Sequence, residues 1–110
     1  MTDVVLVFNE KNSAADSVEA FYISPINGLG TRIKTFTASN DTESSKYYEA
    51  YIYDQSGDPV SPVVPQTIVV KDRADYGASI VNQVIPAGGS LRLLSSDADS
   101  LNFYVTGLEQ

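Results

Sequence analysis

Apolar and polar positions alternate along most of the chain in runs of about four to eight residues, each closed by turn-forming residues. That rhythm predicts strands over 4–8, 18–23, 31–38, 47–53, 67–70, 80–85, 91–94 and 101–105. Polar segments separate them: Asn9 to Ser13, Ser24-Pro25 with the Asn27-Gly28 turn, Ser39 to Ser45, and Asp54 to Asp58. Pro59, Pro62 and Pro65 predict a connection rather than a strand, because proline has no N–H for a ladder. Only 14–20 has the character of a brief helical turn. The pattern predicts an all-β chain, a single antiparallel β-sandwich of immunoglobulin-like or jelly-roll-like type with about seven or eight strands.

Period two also says which faces are buried. Leu101, Phe103 and Val105 share one face and Asn102, Tyr104 and Thr106 the other. Leu91 and Leu93 point together with Arg92 opposite, and Phe36 and Ala38 oppose Thr35 and Thr37. Ile33 breaks that parity, which predicts a bulge or an edge position. In the most regular strand, Tyr48, Ala50 and Ile52 suit the core, leaving Tyr47, Glu49, Tyr51 and Tyr53 outside. Three tyrosines on an outer face suit a protein contact or a sugar platform, and equally suit cross-strand packing under a loop.

Composition narrows the chemistry. At 110 residues, with 43% of them hydrophobic, the chain can bury one core without staples. It has no His and no Cys, which removes Ser–His and Cys–His nucleophile pairs, thiolate chemistry and ordinary zinc sites. Seven basic residues against 14 acidic ones give net −7, which disfavours nucleic acid and anionic membranes as partners. Met1-Thr2-Asp3 has no basic segment and does not read as a secretory signal.

The paired carboxylates (Asp54 with Asp58, Asp72 with Asp75, Asp97 with Asp99) all stand in turn contexts and read as turn formers. Asp54 to Asp58 lacks the alternating acids and closing Glu of a calcium loop. Gly88-Gly89 has no Lys or helix after it, so it reads as a hairpin turn rather than a phosphate cradle. Asn40-Asp41-Thr42 matches a glycosylation sequon, which carries weight only with a secretory route. Nothing here reads as a catalytic, cofactor or metal site, and the expectation is a non-enzymatic protein with no cofactor.

The C-terminal part, Ile85-Pro86-Ala87-Gly88-Gly89-Ser90-Leu91-Arg92, then Ser95-Ser96, then Leu101 to Glu109, resembles the ending of small β-sandwich virion proteins of tailed bacteriophages. Lys34 to Thr42 is similar to their Thr-x-Thr-Ala-x-Asn strand, and the resemblance covers about residues 30–110. It implies a structural component of a phage particle, made in the bacterial host cytoplasm. The favoured role is a head decoration or cement protein, seated as a homo-oligomer on the major capsid protein. A neck, connector or tail-associated protein is the nearest alternative. A carbohydrate- or host-surface-binding module is another. On this reading the interface residues are Tyr47, Tyr51, Tyr53, Tyr104 and Phe8. Residues 1–28 fall outside the resemblance and read as an added strand pair or an arm reaching a neighbouring subunit, with residues 29–110 as the core domain. Pairing of both apolar runs inside the same sandwich is the competing expectation.

Overall fold

The computed structural model describes residues 4–110, and the side chains of all of these except 4 and 61–63; the signal-peptide reading of residues 1–3 lies outside the described residues. Nine strands and no helix are found among them: β1 (Val4–Lys11), β2 (Glu19–Ile23), β3 (Thr31–Asn40), β4 (Lys46–Tyr53), β5 (Pro59–Val69), β6 (Ala74–Asp75), β7 (Val84–Ile85), β8 (Ser90–Ser95) and β9 (Leu101–Glu109). One sheet runs β1-β9-β3-β6, with β7 also on β3, and the other runs β2-β8-β4-β5. Every pairing is antiparallel.

The pairing is nested. The first strand pairs with the ninth, the second with the eighth, the third with β6 and β7, and the fourth with the fifth. A long antiparallel ribbon folded at the β4–β5 turn and rolled over a core gives this order, which is that of a jelly roll. An immunoglobulin sandwich would distribute its strands differently.

The core lies where the alternation puts it. Tyr48, Ala50 and Ile52 of β4, Leu91 and Leu93 of β8, and Leu101, Phe103 and Val105 of β9 are all buried. Three rings meet at its centre: Phe36 stacks on Tyr48 with centroids 5.6 Å apart, and Phe103 stands edge-on to Tyr48 at 5.7 Å. The Tyr48 hydroxyl donates to the Asp75 carboxylate, which satisfies the one polar atom on that ring. At the side where the edge strands β1 and β2 meet, Phe8 packs on Phe21 at 5.2 Å, and Phe21 on Phe103 at 5.6 Å.

Several expectations need correction. The described part of 1–28 is no separate arm: β1 joins one sheet on β9 and β2 joins the other on β8, so the two strands are not a pair either. The proline-marked connection is β5, an 11-residue strand. It accepts prolines because it is an edge strand with only β4 beside it, and its register slips twice along that partner. Conversely, 80–85 is mostly turn, with only Val84–Ile85 in a strand. Ile80 and Ile85 are buried there because the loop itself plugs the core. The 14–20 segment is not helical: the Ser13 and Ala14 N–H groups donate to the Glu19 carboxylate, and Asp16 takes a left-handed φ of 52°. Gly88-Gly89 is a turn, closed by the Gly89 N–H on the Pro86 carbonyl at 2.8 Å, but it carries the chain between sheets rather than around a hairpin. The parity break at Ile33 is a bulge between Ile33 and Thr35, in a strand flanked on both sides.

Candidate interaction surface

Strand β4 lies inside its sheet, between β8 and β5, so its outward side chains stand on a braced surface. Tyr47, Glu49, Tyr51 and Tyr53 alternate with the buried residues and are each half-buried. Their neighbours hold them in place. The Arg92 guanidinium lies 4.4 Å from the centroid of the Tyr53 ring, and its Nε donates to Ser90 Oγ at 3.0 Å. Tyr51 meets Tyr53 edge-on at 6.4 Å. The Tyr51 hydroxyl donates to Glu49 and the Tyr47 hydroxyl to Asp16. The hydrogen bond to Glu49, with some burial and the carboxylate charge, pushes the Tyr51 phenol up to about 12. Tyr47 is raised by its bond to Asp16. Both phenols therefore stay neutral at physiological pH and keep their donors committed. Ile68, opposite Tyr47 on β5, is 66% exposed and adds an apolar neighbour.

The residues expected to form one interface are divided among three places. Tyr47, Tyr51 and Tyr53 share the face just described. Tyr104 lies on the outer face of the opposite sheet, between Asn9 of β1 and Thr37 of β3, and is 43% exposed. Phe8 is 5% exposed and belongs to the core, where it packs on Phe21. A docking surface on β4 can include neither of them, because the core separates the two outer faces.

One carboxylate of each pair has a local partner. Asp54 Oδ1 accepts the Asp58 N–H at 3.0 Å across the β4–β5 turn. Asp75 accepts from Tyr48 and from the Gly77 N–H, and Asp97 pairs with Lys46 at 2.6 Å. The sequon asparagine is a structural residue: Asn40 is buried, donates to the Val69 and Ser44 carbonyls, and accepts from the Thr42 N–H and hydroxyl. Among the described residues no three acids gather closely enough to hold a metal ion.

One feature escaped the sequence reading. Tyr76, 68% exposed, forms a wall of two open grooves beside β3 and β6. One, of about 620 Å³, also has Asp41, Asp72 and Arg73 in its lining; the other, of about 400 Å³, has Lys34, Thr35 and Thr37. Tyr76 sits in a polar connector with no periodicity, so no pattern singles it out. No protein-family model and no curated protein matches the chain.

Proposed function

We propose that the protein is a non-enzymatic structural component of a tailed-phage virion, a head decoration protein that docks on the capsid exterior through the outer face of the β2-β8-β4-β5 sheet. The observation that carries the reading is the row Tyr47, Tyr51 and Tyr53 on an interior strand, held by Asp16, Glu49 and Arg92 respectively before any partner arrives. Aromatic anchors that are already ordered lose little side-chain entropy on docking, and a few of them can dominate an interface. The resemblance of residues 30–110 to small phage virion proteins supplies the class of particle. Double-sheet jelly rolls are also a common architecture of viral shells, which supports the class but does not specify the position. Net −7 suits an exterior position away from packaged DNA.

The test is immunogold labelling of purified particles, followed by rebinding of purified protein to stripped heads. Label over the whole head, with rebinding lost in the Tyr51→Ala/Tyr53→Ala double variant, is the expected result. Label confined to one vertex or to the tail moves the protein to the neck or tail. Rebinding that survives the double variant removes the tyrosine face from the interface.

A further inference from the structure

The larger groove beside Tyr76 offers a set of groups that the fold does not use. The side chains of Asp72 and Arg73 and the Tyr76 hydroxyl make no hydrogen bond or ion pair among the described residues. The backbone of Asp72 and Arg73, by contrast, is fixed. The Asn40 N–H donates to the Arg73 carbonyl and the Asp72 N–H to the Asn40 carbonyl, both at 2.9 Å. The Asn40 side chain ties the same corner to the Val69 carbonyl at 2.8 Å. Asp72 is held at a φ of 60°, a conformation that costs an ordinary residue energy unless its surroundings require it. A tied corner thus presents one carboxylate and one guanidinium to solvent, with the exposed Tyr76 ring in the same groove.

The chemistry of the lining selects among ligand classes. Asp41 and Asp72, on a chain of net −7, repel a phosphate backbone. The edge strand at the groove, β6, is two residues long and gives a peptide strand almost no ladder to extend. Charged walls disfavour a wholly apolar ligand. A neutral sugar fits: it has an apolar C–H face for a ring and hydroxyls that both donate to a carboxylate and accept from a guanidinium. A volume of about 620 Å³ takes a short oligosaccharide.

We infer that this groove is a carbohydrate-binding site, in which a hexopyranose stacks on Tyr76 and its hydroxyls bond to Asp72 and Arg73. The site lies apart from the β4 face and does not depend on the role proposed for that face.

The test is a titration of the full chain, followed by amide NMR, with oligosaccharides of glucose, mannose, galactose and N-acetylglucosamine at millimolar concentration. The expected result is shifts confined to 39–41 and 72–77 with at least one of these sugars. Tyr76→Ala, at an exposed position, should keep the native spectrum and weaken binding at least about tenfold. Tyr51→Ala should bind as the parent does. No shift with any of the four, shifts centred on 47–53, or unchanged affinity in Tyr76→Ala would each overturn the assignment.

Discussion

Replacing Tyr48 by Phe tests how the centre of the sandwich is held. The Tyr48 ring is fully buried between Phe36 and Phe103, and Phe keeps those contacts. Only the hydroxyl is lost, and with it the hydrogen bond to Asp75. A hydrogen bond to a charged partner contributes about 1.5–3 kcal/mol. Asp75 keeps the Gly77 N–H at 3.1 Å and is half-buried, so water replaces part of the loss. The expected cost is about 1–2 kcal/mol, against about 3–5 kcal/mol for Tyr48→Ala, which also empties the ring's volume. In urea the Phe variant should unfold about 0.5–1 M earlier than the parent.

The pH dependence sharpens the test. Burial first, then the Asp75 hydrogen bond and charge, raise the Tyr48 phenol well above its ordinary value of 10.0. Above that value the unfolded chain has lost a proton that the folded chain retains. Stability is therefore fully present below pH 10 and falls as pH rises, by about 1.4 kcal/mol per unit for this group. Tyr48→Phe lacks this contribution, so its deficit should shrink above pH 10 and close within about one to two units. Urea midpoints measured from pH 7 upward check both arms. A deficit that stays constant with pH, or no deficit at pH 7, would refute the reasoning.

The other expectations concern turns. A Cβ on Gly89 would stand 2.4 Å from the Tyr53 carbonyl and 2.9 Å from that of Pro86, both backbone, so Gly89→Ala should cost about 1–3 kcal/mol in thermal or urea unfolding. Gly57→Ala meets no atom within 4 Å, so a clash contributes nothing there, and only its φ of 87° opposes the change. It should therefore be the milder of the two. Burial alone would raise the Glu19 carboxyl, but the Ser13 and Ala14 donors outweigh it and hold the group below its ordinary 4.5. Its stabilising contribution is present above that value and is lost as pH falls through the lower folded value. Glu19→Gln should therefore be less stable than the parent at pH 7, and the two should converge in acid, as read by circular dichroism melts.

The strands that carry the core were legible because each is half-buried, and half-burial writes period two into the residues themselves. Tyr48, Ala50 and Ile52 against Tyr47, Tyr51 and Tyr53 is the fullest example. The Ile33 bulge was legible for the same reason, since an inserted residue shifts parity. Strand β5 was not, because proline's usual exclusion from ladders fails at an edge where bulges already interrupt pairing. The 80–85 run misled in the other direction: Ile80 and Ile85 are apolar because a loop fills the core. Alternation groups residues within a strand but says nothing about which sheet that strand joins. That is why Tyr104 could be grouped with the β4 tyrosines. The Tyr76 groove depends on Asn40 meeting 72–73 across more than thirty positions, which no local pattern encodes.

The division of the tyrosines has a consequence for how the molecule works. Tyr47, Tyr51 and Tyr53 stand on the outer face of one sheet, and Tyr104 on the outer face of the other, whose β6 side holds the Tyr76 grooves. A decoration protein seated through the first face turns the second sheet away from the shell. Docking and sugar binding would then involve surfaces separated by the core, at whose centre Tyr48, Phe36 and Phe103 pack. The two activities should be separable by substitution. Tyr51→Ala/Tyr53→Ala should release the protein from heads and leave oligosaccharide affinity intact, and Tyr76→Ala should do the reverse. Loss of both activities in either variant, with the fold preserved, would mean that one surface performs both tasks and that the assignment of separate roles to the two sheets is wrong.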